Sequence, residues 1–386
     1  MRIAVTAPLV APLLDRQAHG NHQVLLDVAR GLAGRGHEVT VFCAEGSDVS
    51  DIRRVEIPVD DDVRRQTIIP GSEPAVVDGD GMRRAFGRLF DEVRRFRPDA
   101  VSQHAFDAHA FEAAEDLPVV HTLHLPPILP EVVRACTLTS RQVATVSEDA
   151  RARWHAASID AILLRNGVPD PLDDGEVPER ADRDPAAVVA GRISREKGTA
   201  AAIRAAGRAG LRAEVVGTVH DPEYYAADVE PLLHEPHVTF LGAVTRAELF
   251  DLLLRAEVTI MPVEWDEPFG LVAAEAQMVG CPVVAYNRGA LPEIVEHGLG
   301  GWIVPPGDES ALVGATAAAA SLPRQEIRES ARRRLGLCPM LDAYEEALTA
   351  AAAGQRPERK VTTRSRKEVS RTSTPPITSA STSGNG

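Results

Sequence analysis

The sequence has little cysteine: four residues, Cys43, Cys136, Cys281 and Cys338, lie far apart with no C-x-x-C pair. Such scarcity suggests neither a disulfide framework nor a zinc site, and it fits a reducing, cytoplasmic setting. Long apolar runs are missing too. No stretch reaches the roughly 18 apolar residues of a membrane-spanning helix, and the opening MRIAVTAPLV is broken by proline too soon for a signal peptide. A soluble chain with no transmembrane segment is expected, with peripheral membrane contact left open. Positive charge is in deficit as well, 42 Lys and Arg against 56 Asp and Glu, for a formal net charge of −14. This argues against nucleic acid as a partner, so any anion site must be a local group of cations. Neither a Gly-rich P-loop nor a G-x-G-x-x-G after the first strand is present, and the latter absence disfavours a dinucleotide oxidoreductase.

What the chain does have is alternation. Short β-rich runs interleave with Ala/Leu/Arg-rich segments of helical period, the pattern of parallel strands joined by crossover helices, hence an α/β fold. At 386 residues, and about 150 residues per domain, two or three domains are expected. IAVTAP, HEVTVFCA, DAVSQHA, PVVHTLH and RQVATVS read as strands of a first sheet. AAVVAGR, AEVVGT, VTFLGA, VTIMPV and PVVAY read as strands of a second. Asn166, Gly167 and Pro169 punctuate the join, so the domains are set at 1–166 and 167–338, with a last helix in MLDAYEEALTAAAA. Residues 354–386, poor in aromatic and apolar types, read as a disordered tail with a basic start. The acidic runs at Asp60 to Asp62 and Asp78 to Asp80 read as surface loop rather than as a metal site.

Three stretches carry chemistry. VTIMPVEWDEPFGLVAAEAQMVG runs from a strand through a loop into a helix expected to start at Pro268, a residue suited to a first helical turn. The N–H groups of Phe269, Gly270 and Leu271 would then face outward with the positive end of the helix dipole behind them, ready for an anion or a sugar hydroxyl. Glu267 would precede that helix and Glu275 lie within it; the same two residues also read as a capping acid and a helix-surface glutamate. GRISREKG places Arg192 and Lys197 about a turn after a strand, a planar fork and a point charge that suit a diphosphate. Read alone, they are also ordinary solvated cations. VVHTLHLPP sets His121 and His124 at a strand's C-terminal end, as cleft residues or as a pair of structural imidazoles. All three stretches lie at strand ends, where open α/β sheets bind ligands.

Together these residues resemble the retaining glycosyltransferases of family 4, over roughly residues 1–352. GRISREKG is similar to that family's G-R-x-x-x-E-K-G segment and EPFGLVAAE to its E-x7-E segment. GCPVVAYNRGALPEIVEHG follows its glycine-rich run, with Arg288 in place of the first glycine of the G-G-x-x-E part. RGHEVTVF, TVSEDAR, LRNGVPD and the AYEEAL helix are weaker echoes in the usual order. The resemblance implies a GT-B fold: two facing Rossmann-like domains, a cleft between them, and a C-terminal helix, about 339–353, crossing back to the first. It implies transfer of a sugar from a nucleoside-diphosphate sugar, UDP- or GDP-linked, to a hydroxyl acceptor that is a small molecule, glycan or lipid. Configuration would be retained and neither metal nor cofactor required. Arg192 and Lys197 would hold the diphosphate, Glu275 the ribose, and Glu267 with the backbone of Phe269, Gly270 and Leu271 the transferred sugar. The base would lie near Val244. His124 would meet the sugar, with His121 a second candidate in the acceptor cleft, and no general base is assigned. The loop after the first strand departs from the family as HGNHQ: Gly20 is kept, while His19 and His22 replace a glycine and an acid. An epimerase or phosphorylase on the same fold, or a sugar-nucleotide-binding protein without turnover, are the alternatives.

Overall fold

Runs such as RIAVT, EVTVFCA and VTIM are rich in β-branched and apolar residues and buried at nearly every position, as strands covered on both faces are. They build two all-parallel sheets in the computed structural model, which describes residues 1–14, 20–60, 79–173, 175–177 and 185–355. His19, part of both acidic runs and the tail from residue 356 lie outside the described residues. The first sheet comprises β1 (Arg2–Thr6), β2 (Glu38–Ala44), β3 (Arg54–Ile57), β4 (Ala100–Gln103), β5 (Val119–Leu123), β6 (Gln142–Thr145) and β7 (Ile162–Leu163), in the order β3-β2-β1-β4-β5-β6-β7. The second comprises β8 (Ala186–Ala190), β9 (Arg212–Val216), β10 (Val238–Gly242), β11 (Val258–Met261), β12 (Val283–Tyr286) and β13 (Gly301–Val304), in the order β10-β9-β8-β11-β12-β13.

Strands β3, β7 and β13 carry no clear sequence signal, for physical reasons. The first is a half-exposed edge strand of four residues with two charges, the second has two residues, and the third opens on a glycine. Both sheets reverse direction of growth beside their founding strand, between β1 and β4 in one and between β8 and β11 in the other. The crevices at the C-terminal ends of these pairs are where ligands of doubly wound sheets bind.

The chain passes between the sheets twice, and the two crossings touch. Val168 N–H donates to Leu335 O at 2.8 Å, and a Cβ on Gly167 would stand 2.5 Å from Gly336 O. Beyond the second crossing, the Leu337–Ala352 helix packs Met340, Leu341, Tyr344, Ala347 and Leu348 into the first sheet's core. Its close approach to the Gly20–Gly34 helix depends on Gly31, where a Cβ would overlap the Leu341 methyls. Among the described residues, no helix is long and apolar enough to cross a membrane.

Candidate active site

The loops leaving β8 and β11 are laced together by backbone. Glu264 N–H donates to Glu196 O at 2.8 Å. Gly198, at φ 67°, brings the first loop so close that a Cβ would stand 2.2 Å from Pro262 O. This lacing sets Lys197 against Glu267, with Nζ to Oε2 at 2.6 Å. Trp265 Nε1–H donates to the same oxygen at 2.8 Å, and its ring centroid lies 5.0 Å from the Lys197 ammonium. Arg192, on the same turn, pairs with Glu196 at 3.3 Å. Glu267 is held from behind as well, because its carbonyl accepts from Ala290 N–H at 2.8 Å. Gly289 beside it, at φ 53°, permits the contact, since a Cβ there would stand 2.3 Å from Glu267 N.

The helix after this loop starts later than the proline suggests. It spans Leu271–Met278, with Gly270 as its N-cap in the left-handed region at φ 92°. Pro268 and Phe269 lie before it, and the Phe269 ring is buried in the second sheet's core. Its first amides are therefore those of Leu271 onward, not of Phe269: the left-handed turn at Gly270 interrupts the helical path that proline at Pro268 would otherwise begin. A Cβ on Gly20 would lie 2.8 Å from the Leu271 side chain, so the first residues of two helices, one from each sheet, meet between the sheets. Their positive ends converge there, which suits an anion.

Glu275 lies within this helix and is only 5 % exposed. It is neither solvated nor unpaired: Arg246 Nε donates to Glu275 Oε1 at 2.7 Å, while Arg246 Nη1 donates to Asp27 Oδ2, across on the first sheet's Gly20–Gly34 helix, also at 2.7 Å. Burial raises both carboxyl groups above their ordinary range, against the opposing pull of Arg246. A capping box between Thr245 and Glu248 fixes the start of the helix that carries Arg246, and Val244 just before it packs on the second sheet's core.

On the first sheet, the two histidines separate by the two-residue period of β5. His121 is fully buried, its ring 4.0 Å from that of Phe111 and 11° from parallel, and its Nδ1–H donates to Gln103 Oε1 at 3.3 Å. It belongs to the wall behind the strand and not to a cleft, which corrects its reading as a second cleft residue. Burial drives its pKa down to about 3. His124, at the end of β5, is 9 % exposed and meets His104, from the end of β4, nitrogen to nitrogen at 2.9 Å. Burial lowers His124 to about 4 and holds His104 well below the ordinary imidazole range, so both rings are neutral near pH 7.

The structure thus joins Lys197 directly to Glu267, places Arg192 on the adjoining turn and sets Gly20 against Leu271. It gives Glu196, the acid of GRISREKG, a partner in Arg192, and adds Trp265, Arg246, Asp27 and His104, none of which stood out in the sequence. Trp265 lay two residues from a candidate acid and His104 at the tip of a strand beside the switch point. Asp27 and Arg246 had no local signal, since their meaning depends on a pairing 219 residues apart.

Comparison with known proteins agrees with the fold. The model described as "Glycosyl transferases group 1" matches residues 173–334, and that described as "Glycosyltransferase Family 4" matches residues 19–170. The glycogen synthase of Mycobacterium tuberculosis (strain ATCC 25618 / H37Rv) is 29% identical over 381 residues, 85% of this chain and 87% of that protein. A D-inositol 3-phosphate glycosyltransferase of Xylanimonas cellulosilytica is 28% identical over 400 residues, 89% of this chain and 95% of that protein. Among solved structures, Anabaena Alr3699/HepE in complex with UDP and glucose superposes with a TM-score of 0.69 at 18% identity, covering 91% of this chain and 100% of that one. The sucrose-phosphate synthase of Thermosynechococcus elongatus gives 0.71 at 18% identity, covering 92% and 100%. The shared fold is GT-B, two Rossmann-like domains.

Proposed function

Because the chain belongs to the group 1 glycosyltransferases, with a family 4 N-terminal half, we propose that it moves a sugar from a nucleoside-diphosphate sugar, UDP- or GDP-linked, to an acceptor hydroxyl, retaining configuration and needing no metal. The carrying observation is the Lys197–Glu267–Trp265 cluster, in which a cation and a carboxylate are held at fixed separation on the crevice edge of β8 and β11. Glu267 Oε2 is committed to two donors, which orients the carboxylate toward the hydroxyls of a sugar ring. Lys197 and Arg192 then lie where negative charge grows on a departing diphosphate, an electrostatic role that preorganised groups fill without reorganisation.

In the reaction, the bond from the anomeric carbon to the diphosphate oxygen breaks through an oxocarbenium-like state. The acceptor oxygen bonds to the same face, and its proton passes to the departing phosphate oxygen. The Anabaena neighbour, solved with UDP and glucose, favours a donor of this class.

A thermal-shift screen of UDP, GDP, ADP and their sugars tests the donor, since a ligand of the native state raises the midpoint. Proton NMR of the product then reads its anomeric configuration, and an inverted product would overturn the retaining reading. Turnover is expected to persist in excess chelator; loss restored by magnesium would remove the metal-free part.

A further inference from the structure

Ser102, His104 and His124 form a row from the first sheet's interior to its crevice end, 0%, 2% and 9% exposed. Ser102 Oγ lies 2.9 Å from His104 Nε2, and His104 Nδ1 lies 2.9 Å from His124 Nε2. The two imidazole planes are 21° apart with centroids at 5.2 Å, so the rings are nearly coplanar and meet edge to edge, as an N–H···N bond requires. Tyr344, on the returning helix, lies 6.0 Å from His104 with its ring 16° from parallel, and helps hold that plane.

The direction of the row follows from what each group can do. Among the described residues, His104 Nε2 is the partner that the Ser102 hydroxyl has, and a buried O–H that donates to nothing costs more than a lone pair that accepts nothing. The hydroxyl therefore donates to His104 Nε2. His104 keeps its proton on Nδ1 and donates it to His124 Nε2, which leaves the proton of His124 on its own Nδ1. We propose that Ser102 and His104 are positioning residues that fix His124 as a hydrogen-bond donor to the transferred sugar and deny it the lone pair of a general base. Burial of both rings, which keeps them neutral, serves the same end. With no base on that side, the acceptor proton goes to the departing phosphate oxygen, so the inference rests on the donor reading above and deepens it.

Nitrogen-15 NMR of the full chain labelled in histidine tests the assignment directly. In the wild type, His124 Nδ1 should carry the proton and Nε2 should show the shift of an acceptor. His104→Phe should move the proton toward Nε2 and lower kcat roughly ten- to hundredfold, the range by which a metal-bound imidazole suffers when its outer hydrogen-bond partner is lost, with nucleoside diphosphate affinity unchanged. His104→Gln, whose amide N–H can still donate to His124 Nε2, should restore the tautomer and most of kcat. A wild-type proton on Nε2, or a tautomer indifferent to His104→Phe, would overturn the proposal; the wild-type spectrum decides even if that variant fails to fold. Failure of the donor reading looks different, because the tautomer would stand while no nucleoside diphosphate bound.

Discussion

The two walls of the site use opposite physics. On the second sheet, two part-exposed ion pairs line the site, Lys197–Glu267 across two loops and Arg192–Glu196 within one turn. On the first, Ser102, His104 and His124 are uncharged near neutral pH and buried in strand ends. Each suits what it would face in the proposed reaction. A leaving diphosphate gathers charge and needs fixed cations, whereas a sugar ring approaching a cationic transition state is best met by neutral donors that add no positive charge of their own.

The sharpest way to break this contrast is to delete charge on one wall. Lys197→Ala should lower kcat/KM by roughly 10²- to 10³-fold, about 3 to 4 kcal/mol of transition-state stabilisation, and weaken nucleoside diphosphate binding at the same time. His104→Phe on the other wall should spare that binding. Calorimetry with the nucleoside diphosphate, beside steady-state release of it from the donor, compares the two; equal losses of affinity would erase the distinction between the walls.

Acid sharpens the contrast from the other side. An unfolded histidine titrates near 6.5, while His124 and His121 titrate near 4 and 3 in the fold, so between these values the unfolded chain binds protons that the native state refuses. The stability conferred by neutral burial is complete above pH 6.5 and is lost as pH falls, by about 3 kcal/mol for His124 alone at pH 4. Denaturant midpoints should drop steadily from pH 7 to pH 4. A flat profile would mean that these imidazoles are charged or hydrated in the native state.

Legibility in sequence follows the same division. Cations in GRISREKG and acids in EPFGLVAAE sit in loops at strand ends, where a charged side chain advertises itself by type and spacing. The parallel sheets were readable because most of their strands are rich in β-branched and apolar residues, while β3 is half-exposed, β7 has two residues and β13 opens on a glycine. The start of the Leu271–Met278 helix was misplaced because proline at Pro268 is a start signal and a left-handed Gly270 is invisible to propensity. The sequence favours His124 over His121 only through the family resemblance; the strand's alternation is what sends the two to opposite faces.

Glu275 and Glu267 also part company in the structure. The partner of Glu267 is on its own sheet, whereas that of Glu275 reaches across to Asp27. Glu275→Gln should therefore lower nucleoside diphosphate affinity and cost about 2 kcal/mol of stability, less than the roughly 3 to 5 of a fully orphaned buried charge, because Asp27 still holds Arg246. Glu267→Gln should keep that affinity and lose kcat with the sugar donor. Thermal melts and calorimetry on both variants separate the roles, and identical profiles would refute the division.

The smallest expected effect concerns Trp265, whose indole does two things at once. Its N–H donates to Glu267 Oε2 at 2.8 Å, and its face lies 5.0 Å from the Lys197 ammonium. Trp265→Phe removes the first and keeps much of the second, since a phenyl ring also attracts a cation, though less than indole does. Lys197 would then orient the carboxylate alone, through a single flexible side chain. The loss of one hydrogen bond of this kind is worth about 1 kcal/mol, or roughly a fivefold fall in kcat. Nucleoside diphosphate affinity should not change, because Lys197 keeps its charge and its place. If affinity falls with kcat, the ring is holding Lys197 on the diphosphate more than it is orienting Glu267 on the sugar, and the indole belongs to the leaving-group side of the site.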